Sequence, residues 1–380
     1  MDITKSRKAE IQDIFTAGED AYIHKYPMCK QQRKAMYSII NCRRPRMGKH
    51  IDRCDQCGHY EISYNSCRNR HCPKCQAGKQ HEWIGQLEAN LPFVRYFHLV
   101  FTLPGELNEI VYKYQKLCYD LLFKVSAQTM LQVASSPGFP GIQTGCLSVL
   151  HTWGQNLQYH PHIHMLVPAG GLSEDSIEWI KTGNKFFIPV KILSMVFRGK
   201  FIHQLEKLHI KKYIDIPCNF SSLKAELYNK NWVVYSKKAF AGPGQVIKYL
   251  GRYTHRIAIS NNRIIAHEQD KVDFLWKDYR DHSRWKTMQL DTLEFMRRYL
   301  LHVLPVNFYK IRYYGIFSLA GRKQKLKHCQ ELIHSSFNYC RKILAVKRKQ
   351  TNIYLRKCPV CKKGILRFEA LLLPSVDRFT

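Results

Sequence analysis

The sequence predicts an α+β protein, in which a helical and cysteine-rich N-terminal module precedes a larger region of strands and helices. Two observations lead to this prediction. Apolar residues recur at helical spacing within 5–41, whereas 50–80 is rich in cysteine and turn residues. Beyond residue 91, short strand-like apolar runs are mixed with longer periodic stretches. A chain of 380 residues is long enough for two or three domains.

The N-terminal elements are predicted to be helices. Ile11, Ile14 and Phe15 recur at helical spacing. Pro27 divides this stretch in two, because proline interrupts the helical hydrogen-bond ladder. A linking helix is expected at 82–90, after the cysteine-rich part.

The rest of the chain is predicted to contain strands and helices in mixed order. Short apolar runs predict strands, and longer runs with helical periodicity predict helices. The predicted strands cover 93–103, 146–153, 162–168, 185–189, 232–236, 256–260 and 272–276. The predicted helices cover 108–134, 190–208, 243–252 and 291–302, and the last 60 residues are very basic.

The charge of the chain indicates a polyanionic partner. Lysine and arginine number 60 against 29 aspartate and glutamate residues, which gives a net charge of +31. This excess is spread along the chain, so it does not come from one basic tail. Nucleic acid is the expected partner, with binding that weakens as salt rises.

The cysteine content and the N-terminus predict a cytoplasmic location. The first residues lack the apolar core of a signal peptide, and no run approaches the roughly 20 apolar residues of a membrane span. The chain has 14 cysteines, which in a reducing cytoplasm favour thiolates and metal over disulfides. No membrane partner is expected.

Two CxxC knuckles in the N-terminal module predict a structural zinc site. Each knuckle presents two thiolates, and two knuckles complete a tetrahedron. The predicted ligands of this Zn²⁺ are Cys54, Cys57, Cys72 and Cys75. Cys67 and His71 are alternates that could replace a knuckle member. A closed site with four ligands has no open position for catalysis.

Basic residues beside these knuckles are expected to contact DNA phosphates. They are Arg68, Arg70 and Lys74. A third knuckle, Cys358 and Cys361, has no second pair nearby, since only Cys329 and Cys340 stand shortly upstream. A degenerate half-site or a plain turn is favoured over a complete second zinc site.

Histidines at alternate positions predict a second metal site. His160, His162 and His164 share one face of an extended segment, because successive strand side chains point to opposite faces. If 147–153 pairs with 162–168, His151 falls beside His162 and His164. These three are the predicted ligands, with His160 in reserve as it precedes a proline. Three imidazoles leave positions open for phosphate oxygens.

Two tyrosines follow downstream. Tyr249 and Tyr253 stand at i and i+4 in a predicted helix, and therefore on one helical face. Three other tyrosine pairs have the same spacing, so the pattern is weak by itself. Basic neighbours distinguish this pair, and they are also expected to contact DNA: Lys248, Arg252 and Arg256.

The chain resembles the rolling-circle insertion-sequence transposases of the HUH, two-tyrosine type, which carry an N-terminal zinc-binding domain. Three stretches carry the resemblance: SYNSCRNRHCPKCQ at 63–76, HTWGQNLQYHPHIH at 151–164 and YLGRYTHRIAIS at 249–260. FHLVFTLP at 97–104 and LPVNFYKIRYYG at 304–315 are also similar to family segments. The motifs are long and in the family's order over roughly residues 50–320.

The resemblance implies a fold, a reaction and a domain plan. The core would be a central antiparallel sheet with flanking helices, with the metal histidines on a central strand. A tyrosine would attack a DNA phosphate, remain joined to the 5′ end and release a 3′ hydroxyl. The implied domains are a helical and zinc-binding domain (1–90), an HUH-type catalytic domain (91–320) and a basic tail with a CxxC knuckle (321–380).

The family's site residues correspond to specific positions in this chain. Its two tyrosines correspond to Tyr249 and Tyr253, and its histidine pair to His162 and His164. The third ligand is assigned to His151, with His160 and Gln245 as alternatives. Mg²⁺ or Mn²⁺ is the expected catalytic ion. Single-stranded DNA at the element's ends is the expected substrate, and a bacterial, nucleoid-associated location through DNA follows.

Two other functions are considered. A plasmid or phage replication initiator would use the same chemistry, but the zinc module favours the transposase and no P-loop of a fused helicase is present. A non-catalytic, zinc-dependent DNA-binding protein would explain the charge and the cysteines. It would leave the histidine and tyrosine patterns unexplained.

Overall fold

A computed structural model describes residues 8–75, 83–85, 87, 90–183, 185–216, 219–240, 251, 258–279, 281–335 and 356–373. The helices in these ranges are α1 (Ile11–Lys25), α2 (Lys30–Asn41), α3 (Asn108–Lys113), α4 (Gln115–Ser135), α5 (Val190–Ile210), α6 (Phe220–Asn229), α7 (Thr292–Leu300) and α8 (Arg322–Ser335). None of them is long and apolar enough to cross a membrane.

The strands of the same ranges form antiparallel sheets, so the predicted α+β class is confirmed. They are β1 (Lys49–Cys54), β2 (Tyr60–Tyr64), β3 (Tyr96–Thr102), β4 (Gly145–Trp153), β5 (Tyr159–Pro168), β6 (Gly170–Leu172), β7 (Trp179–Lys181), β8 (Val234–Phe240), β9 (Ile264–Glu268), β10 (Lys271–Asp278), β11 (Arg284–Asp291), β12 (Ile311–Gly315) and β13 (Leu366–Leu372).

The largest sheet has five strands in the order β12-β4-β5-β3-β8, and every neighbouring pair is antiparallel. One face is apolar and packs on α4 and α5. Phe101 and Ile163, which are cross-strand partners, contribute to this core together with Phe197 of α5. The strands are buried because helices cover this face, and β5 is the central strand of the five.

The opposite face of the same sheet carries polar groups at one end and apolar groups at the other. Leu147 and Leu166 pair across β4 and β5 and join Leu326 of α8 in a second cluster. His162 and His164 lie further along the same face of β5. Helix α8 covers the apolar end of this face, and the histidines lie at the opposite end, outside the cluster that α8 forms with the sheet.

The N-terminal helices pack on α7. Phe15 of α1 contacts Tyr299 of α7 edge to face, with ring centroids 5.3 Å apart. Gly18 permits the close approach of the two helices, because a Cβ there would lie 2.5 Å from the sulfur of Met296. These helices share a core with the meander β9-β10-β11, represented by Phe274.

The C-terminal part of the chain differs from the predicted basic tail. Strand β13 pairs with β1 in a three-stranded sheet of order β13-β1-β2. Helix α8 covers the central sheet. Residues from 321–380 therefore contribute both to the N-terminal module and to the core of the central sheet.

The predicted strand at 185–189 is wrong. These five residues are described and form no strand, and the rings of Phe186 and Phe187 pack on Phe97 instead. Of the predicted strand 256–260, the described residues 258–260 are not extended into a sheet, and the strand β9 begins after the following turn.

Candidate active site and cysteine clusters

Three buried histidines meet at the end of the central sheet that lies beyond the core contacts of α8. Strands β4 and β5 pair so that His151 stands directly opposite His162, and His164 lies on the same face two residues further along β5. One ring nitrogen of each histidine lies within 4.8 Å of the other two. The pairing expected from the sequence therefore brings His151, His162 and His164 together.

Burial keeps the rings of His162 and His164 neutral at neutral pH. It lowers the pKa of His162 to about 3 and the pKa of His164 well below its ordinary value, because an imidazolium would lose its hydration. His162 Nδ1 lies 2.6 Å from the carbonyl oxygen of His160. A carbonyl can only accept, so Nδ1 carries the proton and Nε2 of His162 keeps its lone pair.

A fourth histidine stands behind the group. His98 of β3 places its Nε2 2.7 Å from Nδ1 of His164, and the two rings stack with centroids 5.0 Å apart. When His164 donates from Nδ1 to His98, its own Nε2 presents a lone pair toward Nε2 of His162, 3.1 Å away. His98 falls in the predicted strand 93–103, but it was not among the predicted site residues. The pairing of β3 with β5 places His98 opposite Leu166, on the same face of the sheet as His164. The alternation of side chains along β3 was the available signal.

His160 takes a different position from the other three. It is exposed and lies outside the group of converging nitrogens among the described residues. Its backbone carbonyl nevertheless fixes the tautomer of His162. On the other strand, His151 stacks on Trp153, with ring centroids 4.6 Å apart. Backbone and aromatic contacts thus orient two of the three histidines.

One four-cysteine group lies at the end of α2. Cys42 and Cys72 are buried, and the sulfur of Cys75 lies 3.5 Å from that of Cys42 and 3.6 Å from that of Cys67. The sulfurs of Cys42, Cys67, Cys72 and Cys75 are all within 4.8 Å of one another. The alternate Cys67 is thus a member of this group, and Cys42 is a member that the sequence analysis did not identify.

The predicted grouping of the two N-terminal knuckles in one tetrahedron is wrong. Cys54 and Cys57 lie instead with Cys358 and Cys361, again with all four sulfurs within 4.8 Å. The C-terminal knuckle is therefore not isolated. The physical reason is the pairing of β13 with β1, because β1 ends at Cys54 and β13 begins close to the C-terminal knuckle.

Comparison with known proteins identifies the family. A family model described as "Transposase zinc-binding domain" matches residues 14–103, and one described as "Putative transposase" matches residues 145–325. "Putative transposase y4qJ" of Sinorhizobium fredii (strain NBRC 101917 / NGR234) is 43% identical over 371 residues, covering 93% of this chain and 93% of that protein. The chain belongs to the IS91 family of rolling-circle transposases.

A second relative supports the same family. The "Transposase for insertion sequence element IS801" of Pseudomonas savastanoi pv. phaseolicola is 28% identical over 287 residues, which cover 74% of this chain and 67% of that protein. No solved structure matches the chain. The two family matches fall on the N-terminal module and on the region that runs from β4 to α8 of the transposase.

His71 is not part of either cysteine group. Its Nδ1 donates to the side-chain oxygen of Asn69, 3.1 Å away, and its Nε2 accepts from the backbone N–H of Leu304 at 3.1 Å. Burial lowers its pKa to about 3, so the ring is neutral. Both ring nitrogens are committed to the protein. His71 thus joins the zinc-binding domain to the segment after α7.

Two of the predicted DNA-contacting residues are engaged inside the transposase. Arg70 donates to the carbonyl oxygen of Phe308 at 2.7 Å, and Lys74 forms an ion pair with Glu10 at 2.6 Å. These contacts give both side chains a structural role. Arg68, in contrast, is exposed.

The predicted tyrosines lie outside the described residues. Of the segment 241–257 the structure describes Gly251, which is buried and helical. The residues of the earlier prediction that fall in the undescribed part are Gln245, Lys248, Tyr249, Arg252, Tyr253 and Arg256.

Proposed function

We propose that this transposase nicks and rejoins single DNA strands at the ends of its mobile element through a 5′-phosphotyrosine intermediate. Transposition makes DNA its substrate. The observation that carries the proposal is the convergence of His151, His162 and His164 on a central strand and its neighbour. Neutral histidines whose Nδ1 carries the proton present the lone pair of Nε2, and this arrangement is typical of a metal centre.

The three histidines fit a divalent ion. Their ring nitrogens converge within 4.8 Å, and the rings of His162 and His164 are neutral. Among the described residues no cysteine, aspartate or glutamate joins the group, so three imidazoles leave coordination positions for other ligands. Of the two ions expected, Mn²⁺ suits this set better, since Mg²⁺ prefers oxygen ligands. A bound divalent ion would polarise the scissile phosphate and offset its developing negative charge.

The tyrosines are proposed as the nucleophiles. The phenol oxygen of Tyr249 or Tyr253 forms a bond to phosphorus, the bond to the 3′ oxygen breaks, and that oxygen gains a proton while the phenol loses one. In the reverse step a 3′ hydroxyl attacks the phosphotyrosine and releases the phenol. The bond energy is kept in the phosphotyrosine, so rejoining needs no nucleotide cofactor.

The chain length between β8 and the tyrosines is compatible with this role. Strand β8 ends at Phe240, opposite Tyr96 at the start of β3, whereas Thr102 at the other end of β3 is opposite His162. That strand is about 20 Å long at 3.3 Å per residue. Tyr249 is nine positions after Phe240, and nine residue steps can span roughly 30 Å. A return to the histidines is thus within reach.

Four thiolates at the end of α2 are proposed to hold a structural zinc ion. The edge of a tetrahedron of sulfurs around Zn²⁺ is about 3.8 Å for a Zn–S distance of 2.3 Å. The sulfur distances of 3.5 and 3.6 Å from Cys75 to Cys42 and Cys67 are close to that value. The zinc-binding domain match covers all of these cysteines. All four positions of the ion are then filled by protein, so this site is structural.

A surface within the zinc-binding domain suits single-stranded DNA. Tyr60 and Tyr64 of β2 are 53% and 45% exposed, and their cross-strand partners on β1 are Arg53 and Lys49. The guanidinium of Arg53 lies over the ring of Tyr60, 5.4 Å from its centroid. Exposed aromatic rings interleaved with cations stack bases and neutralise phosphates without reading sequence.

This surface gives a first expected result. Replacing Tyr60 and Tyr64 with alanine is expected to weaken binding of single-stranded DNA by roughly tenfold or more, because base stacking on an aromatic ring contributes about 1–3 kcal/mol per base. Fluorescence anisotropy with a labelled oligonucleotide measures the change. Tyr213→Ala, at an exposed tyrosine away from this sheet, is the matched control. Equal affinity of the double variant and the control would contradict the assignment of this surface.

A second expected result concerns His98. His98→Phe keeps an aromatic ring of similar size but removes the acceptor for His164 Nδ1. We expect Mn²⁺ to bind about 10- to 100-fold more weakly, as is typical when the partner of a metal-bound histidine is lost. Isothermal titration calorimetry measures this without any DNA. His203→Phe, at an exposed position on α5, should leave the affinity unchanged.

The function itself is tested by a nicking assay on single-stranded DNA from the element's ends. The proposal predicts cleavage in Mn²⁺ or Mg²⁺, none in EDTA, and a 3′ hydroxyl on the released fragment. Preference for intact duplex would contradict the single-strand substrate. DNA binding without cleavage in any divalent ion would favour the alternative of a non-catalytic, zinc-dependent DNA-binding protein.

A further inference from the structure

We propose that the transposase holds a second structural zinc ion in a site built from the two ends of its chain. The ligands are Cys54 and Cys57 of the N-terminal module and Cys358 and Cys361 of the C-terminal segment. The site lies partly beyond the zinc-binding domain match, which ends at residue 103. Its role is to fasten β13 onto β1 as the outer strand of the sheet.

The sulfur geometry fits a tetrahedral ion. The sulfur of Cys54 lies 3.7 Å from that of Cys361, and the sulfur of Cys57 lies 3.7 Å from that of Cys358. The edge expected around Zn²⁺ is about 3.8 Å. A disulfide would need a distance of about 2.05 Å, and all four cysteines are free. The donor set is four sulfurs, which is one of the usual compositions of a closed zinc site.

The backbone around each pair has the form of a metal-binding knuckle. In the first, Gly58 N–H donates to the Cys54 carbonyl, and Cys57 N–H points at the Cys54 sulfur, 3.5 Å away. In the second, Lys362 N–H donates to the Cys358 carbonyl. In both turns, therefore, the carbonyl of the first cysteine accepts from the N–H four residues later. N–H groups directed at sulfur stabilise the thiolate form that a metal requires.

A glycine closes the second knuckle against the first. Gly364 N–H points at the sulfur of Cys361, 3.3 Å away. A Cβ at Gly364 would lie 2.4 Å from the sulfur of Cys54, so a larger residue would displace a ligand. Asp55 completes the junction, because its carboxylate accepts from Ile365 N–H at 2.8 Å and from Arg367. The two knuckles are thus fitted to each other.

Apart from the backbone ladder with β1 and the contacts of Asp55, β13 has few side-chain contacts with the module. Residues Cys57 and Cys358 are 301 positions apart, so closing this sheet costs chain entropy. Of the side chains of β13, Leu366 is buried with the cysteines, whereas most of the others are exposed. The ion pair of Arg53 with Glu369 is also exposed, and such pairs contribute little. The metal would therefore be the main attachment beyond the backbone ladder.

The test compares the full-length protein with Cys358→Ser/Cys361→Ser and with Cys29→Ser, whose cysteine lies outside both groups among the described residues. Cobalt substitution is the readout, because the sulfur-to-cobalt absorption reports cysteine sites and not the histidine site. We expect the double variant to lose half of this absorption and one zinc equivalent. Cys29→Ser should retain both.

Hydrogen exchange supplies the second readout. In the double variant the amides of 366–372 should exchange at least tenfold faster, whereas those of α1 and α2 should stay protected. If the amides of α1 and α2 also lose protection, the double variant has failed to fold. The single variant Cys361→His, which keeps a zinc ligand, should then show normal protection at 366–372. Unchanged zinc content, unchanged exchange at 366–372, or iron in place of zinc would overturn the proposal.

Discussion

Replacing His162 and His164 together with alanine is expected to lower the rate of DNA strand nicking by about 10³-fold or more. The two side chains supply two of three converging nitrogens, and one remaining imidazole cannot hold a divalent ion tightly. Losing the ion's charge stabilisation at the phosphate removes several kcal/mol from the transition state, and each 1.36 kcal/mol is about tenfold in rate. The measurement is single-turnover cleavage of an end-labelled oligonucleotide.

Two controls separate this chemical loss from a loss of structure or binding. DNA affinity should be retained within a few fold, because the proposed DNA surface on β1 and β2 lies on a different sheet. His160→Ala, which removes an exposed ring but leaves the carbonyl that orients His162, should cleave at close to the normal rate. Normal cleavage by the double variant would show that the ligands have been assigned to the wrong residues.

Removing the cysteine site at the end of α2 is expected to have the largest effect on stability. Cys67→Ser/Cys75→Ser takes two of the four thiolates from a cluster that is continuous with the core of α1, α2 and α7. Structural zinc contributes on the order of 10 kcal/mol to the folding of a small metal domain at neutral pH. We therefore expect the N-terminal helices to lose their cooperative unfolding transition and the variant to bind one zinc fewer.

Calorimetry and amide exchange of 11–41 measure this effect. Cys29→Ser serves as the matched control, because Cys29 is exposed and outside the cluster. Serine is also well suited to the position before α2. A melting transition of the double variant within a few degrees of the unaltered protein would contradict a zinc-dependent module.

The histidine group could be predicted because its geometry is local. Strand side chains alternate, so His162 and His164 had to share a face, and a short connection made β4 the natural partner of β5. The place of His151 follows from that register. His98 was harder to predict, because it depends on the pairing of β3 with β5, more than 60 residues apart.

The cysteine grouping could not be predicted from spacing. Two CxxC knuckles 14 residues apart suggested one site. Cys72 and Cys75 lie instead with Cys42 and Cys67, and the other knuckle lies with the knuckle near the C-terminus. Cys42 carried no motif, and the strand that brings Cys358 to Cys54 has mostly exposed side chains and a weak apolar signal. Long-range pairing of this kind depends on the whole fold.

Polar residues were misjudged for a related reason. Arg70 and Lys74 looked like free cations beside the knuckles, whereas both are bound to groups distant in sequence. The apolar run at 185–189 looked like a strand because aromatic residues favour strands. Its two phenylalanines are instead used in packing on Phe97.

The covalent protein–DNA adduct tests the central proposal most directly. The transposase is incubated with labelled single-stranded end DNA and Mn²⁺, with and without EDTA, and separated on a denaturing gel beside Tyr249→Phe, Tyr253→Phe and the double variant. The account predicts a metal-dependent adduct that the double variant lacks, although its Mn²⁺ affinity is unchanged. An adduct of normal yield in the double variant, or DNA cleavage without any adduct in the unaltered protein, would contradict a tyrosine nucleophile at these positions.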